Sequence, residues 1–296
     1  MSDQHGIVVT STGNHCIVAA DNATLHRCQL RGRRGLRPVC GDHVSWKMMD
    51  EGGLIQSIAP RHNVLERGDF RGHPRPLAAN IDRLVLVIAP APTPDALLID
   101  RYLVLARAMG LAISLWINKT DLMDTTRSSR LEQLLKRYQS LGIQALFGSA
   151  ITGAGLAALR KLIATDTVIL AGQSGVGKSS LAQGLIPSLD LRVGEISKLS
   201  GQGRHTTTET TRFECLDGGA LIDSPGVRTL RLDHLSPGDV LSGFPEIQTV
   251  AKDCRFRDCH HDHEPECAVK AALQNGTIDL ERFENWRALT RESVHH

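Results

Sequence analysis

The chain has 296 residues, with 34 Lys plus Arg against 32 Asp plus Glu, 41% hydrophobic and 22% charged residues, and a formal net charge of +2. That balance excludes bulk disorder and a fibrous protein, and the length provides for about two or three domains. No apolar run approaches the ~18 residues of a membrane span, and the opening Met-Ser-Asp-Gln-His lacks the basic and then apolar layout of a secretory leader. The expectation is a cytosolic protein with no membrane partner. Seven cysteines are too few, and odd in number, for a closed disulfide framework.

Residues 1–70 alternate apolar and polar positions in short stretches, such as Gly6 to Thr10 and Cys16 to Ala20, separated by turn sequences. This pattern predicts a small antiparallel β-barrel. Between His26 and Arg37 lie Arg27, Arg31, Arg33, Arg34 and Arg37 with no acid among them. Trp46 and Phe70 are nearly the only aromatic residues nearby, so phosphate contact is the expected mode of this basic segment rather than base stacking. Residues 67–80, with Gly68, Gly72, Pro74 and Pro76, read as a linker.

The hydrophobic period then changes. Leu84 to Ala89 is a buried-strand pattern, followed by a helix after Thr93-Pro94 that ends at Gly110. A strand at Ala112 to Ile117, a helix around Leu131, Leu134 and Leu135, and a strand at Ile143 to Phe147 come next. Strand and helix in alternation predict a parallel sheet covered on both faces, assigned to residues 71–234. After residue 235 the chain becomes charged, helical and rich in Cys and His.

The apolar run Val168 to Ala171 leads directly into Gly172, Gln173, Ser174, Gly175, Val176, Gly177, Lys178, Ser179 and Ser180. This is a phosphate-binding loop. Its glycines let backbone N–H groups turn onto phosphates, Lys178 reaches the β and γ oxygens, and the Ser179 hydroxyl binds Mg²⁺. Base choice falls on Asn118, Lys119, Thr120 and Asp121 at a strand end. The Asp121 carboxylate accepts from N1–H and the exocyclic amine of guanine, a donor pair adenine lacks. Lys119 would lay its stem along the base, and Asn118 would tie this loop to the phosphate loop. Gly148, Ser149 and Ala150 would complete the base pocket through backbone N–H groups.

Asp223, after the strand-like Ala220-Leu-Ile, would hold Mg²⁺ through water, and Gly226 would give an N–H to the γ-phosphate. Gly201 to Thr208 has no apolar anchor and reads as a mobile switch able to supply a threonine hydroxyl to Mg²⁺. Position 227, where many GTPases carry a water-orienting glutamine, is Val227, so His205 is the expected catalytic group; its other reading is shaping the switch or touching RNA. The order of motifs is unusual: Asn-Lys-Thr-Asp precedes the phosphate loop and Asp-Ser-Pro-Gly comes last, which circular permutation explains.

Cys254, Cys259, His261 and Cys267 can close a tetrahedral structural Zn²⁺ site, with His260 and His263 as alternates. Cys16, Cys28, Cys40 and Cys215 are scattered and read as small buried residues. Two other functions compete with a GTPase: a P-loop kinase or ATPase, against which Asn-Lys-Thr-Asp speaks, and an RNA-binding module with a relic nucleotide site.

With permuted motifs, Gly-Arg-His-Thr-Thr-Thr at 203–208, Pro38 to Asp42 in the barrel region and the Cys-x4-Cys-x-His-x5-Cys spacing, the chain resembles the RsgA (YjeQ) family of small ribosomal subunit assembly GTPases. The resemblance implies an OB-fold RNA-binding domain over 1–70, a permuted P-loop GTPase domain over 71–234 and a helical zinc-binding domain over 235–296. It further implies GTP hydrolysis to GDP and phosphate in late subunit maturation, slow alone and stimulated by the subunit. Binding to the subunit's ribosomal RNA would depend on the GTP state, and the protein would be cytoplasmic and monomeric off the ribosome. By the same resemblance Thr207 is the Mg²⁺ ligand of the threonine run, and His205 positions water.

Overall fold

The computed structural model describes residues 3–30, 37–50, 52–68, 74–186, 189–200, 210–223 and 235–294. Strands β1 (Gln4–Thr12), β2 (His15–Ala20), β3 (Leu25–Leu30), β4 (His43–Met49) and β5 (Gly52–Ile58) close into a barrel in the order β1-β2-β3-β5-β4. Alternation along these strands turns Val8, Cys16, Val18, Cys28, Val44, Trp46 and Ile55 inward. The expectation of a purely antiparallel barrel is corrected at one seam. The β4–β5 hairpin delivers β5 onto the free edge of β3, where the two strands run parallel. Asp42, buried at the start of β4, accepts from Val39 N–H and from Arg61 Nε and Nη2, each at 2.7 Å, so Pro38 to Asp42 is a turn pinned by a bidentate ion pair.

The expected linker is also corrected. Strand β7 (Pro74–Ala79) pairs antiparallel with β6 (Val64–Gly68), Ala78 and Ala79 are buried, and Ala79 N–H donates to Cys40 O at 2.9 Å. The prolines that suggested a linker, Pro74 and Pro76, lie instead on a strand of a two-stranded ribbon, a setting that tolerates a missing ladder N–H.

The central sheet holds β8 (Arg83–Ile88), β9 (Ala112–Ile117), β10 (Gln144–Phe147), β11 (Thr167–Ala171), β12 (Thr211–Glu214) and β13 (Ala220–Asp223) in the order β10-β9-β8-β11-β13-β12. All pairs are parallel except β12 with β13 at the edge. Successive residues of β8 serve opposite faces. Leu84, Leu86 and Ile88 enter one core while Val85 and Val87 enter the other, which is why the strand reads as a continuous apolar run. Helices α1 (Ala96–Ala108) and α2 (Thr125–Gln139) cover the first face; α3 (Leu156–Ile163), α4 (Lys178–Leu185) and α5 (Leu189–Ser200) cover the second. The barrel packs there too, with Val9 and Ile17 in the same cluster as Ile196 of α5 and Phe213 of β12.

The C-terminal region forms α6 (Pro237–Ser242), α7 (Pro245–Ala251), α8 (Ala268–Gln274) and α9 (Leu280–Val294). Its Val240, Phe244, Ile247 and Leu289 share one core with Leu84 and Val104, so these helices extend the first face of the sheet instead of standing apart from it. No helix among the described residues is long and apolar enough to cross a membrane.

Candidate functional site

Chain order places β9 and β10 on one side of β8, and β11 and β13 on the other, so the strand order reverses between β8 and β11. Open parallel sheets bind ligands at the carboxyl ends of strands at such a point. The loop from Gly172 to Gly177 leaves β11 there and runs into α4, whose first residue is Lys178. Gly177 has φ 96°, and a Cβ on it would lie 2.3 Å from Asn118 Nδ2, so both backbone and space demand glycine. Lys178 Nζ donates to the carbonyls of Gly172 and Gln173, each at 2.6 Å, which folds the side chain back over its own loop. The helix N-terminus and this ammonium converge where a phosphate chain would sit. Ser174, Ser179 and Ser180 are exposed beside them, and Val176 is buried as the loop's anchor.

Asn118, at the end of β9, is buried and joins three loops. Its Nδ2 donates to Val176 O at 2.8 Å, and its Oδ1 accepts from Ala150 N–H at 2.9 Å. Lys119 takes the left-handed conformation, φ 58°, and its Nζ donates to Gly175 O at 2.6 Å and Ala91 O at 3.0 Å. Both residues therefore fasten the end of β9 to the loop from Gly172 to Gly177. Thr120 N–H donates to Gly148 O at 3.1 Å, fixing the short 3-10 turn Thr120–Leu122 that carries the exposed Asp121.

One part of the expected base pocket changes. The N–H groups of Gly148, Ser149 and Ala150 are engaged with Ile117 O, Ala154 O and Asn118 Oδ1. The three amides are therefore engaged within the protein, that of Ala150 by the buried Asn118 side chain. Ser149 is buried and its hydroxyl accepts from Thr152 N–H, a turn-forming role.

Asp223 ends β13 and lines, with Tyr102, Gly172, Lys178, Ser179 and Leu221, a cavity of about 130 Å³ beneath the phosphate loop. The structure thus brings the expected Mg²⁺ residues Ser179 and Asp223 to one place. His205, Thr207, Gly226 and Val227 lie outside the described residues.

The metal-ligand candidates resolve clearly. Cys254, Cys259, His261 and Cys267 offer ligand atoms that all lie within 4.8 Å of one another. Individual edges are 3.6 Å from Cys254 Sγ to His261 Nδ1, 3.4 Å from His261 Nδ1 to Cys267 Sγ, and 3.9 Å between Cys254 Sγ and Cys267 Sγ. His261 is buried against Trp286, with ring centroids 5.6 Å apart. The alternates fall away: His260 is exposed, with its backbone N–H bonded to Glu264, and the His263 side chain is 94% exposed. The donor set suits a metal ion. The other four cysteines are free and buried, as expected.

Sequence reasoning missed two groups at the site. The Ala91 carbonyl lies beside the cis Ala91-Pro92 bond and holds Lys119, and Tyr102 forms a wall of the cavity. Neither belongs to a motif, since a backbone carbonyl and an apolar-face tyrosine carry no spacing signal.

Comparison with known proteins agrees with this geometry. The sequence model of the RsgA GTPase family matches residues 58–233. A small ribosomal subunit biogenesis GTPase RsgA of Ectopseudomonas mendocina (strain ymp) is 44% identical over 290 residues, spanning 96% of this chain and 84% of that one. Its counterpart from Azotobacter vinelandii is 43% identical over 290 residues, with 96% and 84% covered. Among solved structures, YjeQ from Thermotoga maritima superposes with a TM-score of 0.82 at 30% identity, covering all of both chains. YloQ, described as a circularly permuted GTPase, gives 0.78 at 25% identity, covering 99% of this chain and 96% of that one. With the motif order, the doubly covered sheet and the closed barrel all in place, the chain belongs to the RsgA GTPase family.

Proposed function

We propose that this GTPase acts in biogenesis of the small ribosomal subunit, the role its relatives are named for, by hydrolysing GTP in a site read by Asp121 and built on the phosphate loop. The observation that carries the reading is Asn118, one buried amide holding the base-reading turn, the phosphate loop and the 148–150 loop together. Asp121 is exposed at the mouth of this junction, where its carboxylate accepts from guanine's two donors. The amides of Gly172 to Ser180 and the Lys178 ammonium take the phosphates, with Lys178 exchanging its two carbonyl partners for phosphate oxygens. Ser179, Asp223 and Thr207 are the residues that would hold Mg²⁺, which when bound would neutralise phosphate charge. His205 positions the attacking water and Gly226 supports the γ-phosphate.

The Cys254, Cys259, His261 and Cys267 set is assigned to one structural Zn²⁺. Bonds of about 2.3 Å to sulfur and 2.0–2.1 Å to nitrogen at tetrahedral angles give ligand-to-ligand edges of roughly 3.5–3.8 Å. The three edges among Cys254, His261 and Cys267, 3.4–3.9 Å, support that choice, with Cys259 Sγ within 4.8 Å of each. Exposed Arg27 and Arg37 on the barrel side favour contact with ribosomal RNA phosphates. The barrel, the sheet domain and the C-terminal helices are assigned to 1–70, 71–234 and 235–296, and the protein works as a cytoplasmic monomer off the ribosome.

The test is competition binding of GTP and ATP, followed by hydrolysis with and without purified small subunits. Guanine preference and stimulation by the subunit are expected. Equal affinity for ATP, or turnover indifferent to the subunit, would reject the reading.

A further inference from the structure

The loop between α7 and α8 brings one member of the metal-ligand set inward by an uncommon backbone route. His261 has φ 61°, in the left-handed region that Cβ sterics leave sparsely populated by residues other than glycine. That turn buries the His261 side chain beside Cys254 and Cys267, while its neighbours His260 and Asp262 are exposed. Such a conformation persists only where its surroundings over-determine it.

Two contacts do so. The Glu264 carboxylate accepts from the backbone N–H on each side of the histidine, Oε1 from His260 at 2.7 Å and Oε2 from Asp262 at 2.9 Å. One planar group therefore spans the left-handed residue with two charge-assisted bonds. From α9, the Trp286 ring lies 5.6 Å from the imidazole, centroid to centroid, and packs in turn on Phe283 at 5.5 Å. The carboxylate holds the backbone and the indole holds the ring, which leaves Nδ1 at 3.6 Å from Cys254 Sγ and 3.4 Å from Cys267 Sγ.

Glu264 stands outside the four residues whose ligand atoms converge, and both its oxygens are engaged by amides. Its neighbour Glu266 gives a contrast within the same loop. That carboxylate is exposed and pairs with Arg255.

We propose that Glu264 is a positioning residue for the metal: by clamping the amides of His260 and Asp262 it turns His261 Nδ1 toward the three cysteines before the ion arrives. The proposal rests on the assignment of Cys254, Cys259, His261 and Cys267 to Zn²⁺. Because the clamp is made by protein atoms alone, it lowers the cost of ordering the loop and so favours binding without touching the ion. Without it the left-handed turn relaxes, and His261 is the ligand that the loop withdraws.

The experiment uses the full, zinc-loaded chain and measures transfer of Zn²⁺ to a chromophoric chelator, with the absorption spectrum of the Co²⁺-substituted protein as a second readout. Glu264→Gln keeps the shape but presents an NH2 donor to one of the two amides. It is expected to weaken Zn²⁺ binding about 10-fold, and Glu264→Ala about 10–100-fold. In Glu264→Ala the Co²⁺ bands should also move from those of a site with three sulfurs and one nitrogen, as the imidazole is lost. Glu266→Gln removes the same charge from the same loop but no amide partner, and should bind Zn²⁺ within about 3-fold of the parent. Unchanged GDP binding by each variant shows that the rest of the chain is folded. Parental Zn²⁺ affinity and Co²⁺ bands in both Glu264 variants would overturn the proposal, and so would equal losses in Glu264→Gln and Glu266→Gln, which would make charge and not the clamp the cause. A parent chain that holds no stoichiometric Zn²⁺ would instead reject the underlying metal assignment.

Discussion

Asn118 shows how much one side chain can organise. It is buried with donor and acceptor both used, so Asn118→Ala leaves the Val176 carbonyl and the Ala150 amide without their partner at the centre of three loops. The expected cost is about 1–3 kcal/mol of stability, with at least a tenfold loss of GTP affinity; urea unfolding and nucleotide titration measure the two. Asp121 differs, being exposed and structurally undemanding. Asp121→Asn should fold as the parent does yet lose GTP and gain xanthosine triphosphate, because an amide donates where guanine's amine required an acceptor. Competition titration decides, and an unchanged GTP preference would remove Asp121 from its role. His205→Ala should keep GTP binding within a few-fold while reducing subunit-stimulated turnover by about 10²-fold or more. Equal turnover of variant and parent on the subunit would return His205 to a merely shaping role. At this scale the sequence motifs pointed to Asn118, Lys178, Ser179 and Asp223, which the fold gathers at one end of the sheet, because the chemistry dictates their spacing. Arg282 carried no such signal. Its partners Asp100 and Glu246 lie 182 and 36 positions away, and nothing local distinguishes a buried arginine from a solvated one.

Among the elements, the strands of the sheet were the most legible, since burial on both faces writes an unbroken apolar run from Leu84 to Ile88. The β6–β7 ribbon was hidden because its glycine and prolines also describe a linker, and its pairing is visible only in three dimensions. The metal loop has local consequences. The Cys267 sulfur accepts from Lys270 N–H at the start of α8, so a candidate metal ligand also caps a helix. Chelation should therefore loosen residues 254–267 and the start of α8. Helices α6, α7 and α9 should stay docked, because they share their core with α1 and the sheet. Hydrogen exchange with and without chelator tests this; loss of protection throughout residues after 235 would contradict it. Thiol labelling gives a parallel check. Burial pushes the thiols of Cys16 and Cys28 up to about 12 and that of Cys215 up to about 11, and raises Cys40 as well. At pH 8 these four should remain silent in the folded protein, while chelation exposes three reactive thiols, Cys254, Cys259 and Cys267. Reaction of all seven without unfolding would refute the burial argument.

For the whole molecule, the arrangement around the sheet carries the functional consequence. Helix α5 and strand β12, which border residues 201–209 on either side, pack against barrel strands β2 and β1. The chain after Asp223 continues into the C-terminal helices, which clasp α1 from the opposite face. Both flanking regions thus touch elements that border the cavity lined by Lys178, Ser179 and Asp223, and the passage from Asp223 into the C-terminal helices is the part that the order of motifs already announced. Binding of GTP in place of GDP should accordingly change how barrel and C-terminal helices together meet the small subunit. Co-sedimentation of the protein with purified small subunits, in a non-hydrolysable GTP analogue against GDP, tests this most directly. The account predicts markedly more protein in the subunit fraction with the GTP analogue than with GDP, whereas equal binding in the two states would contradict it.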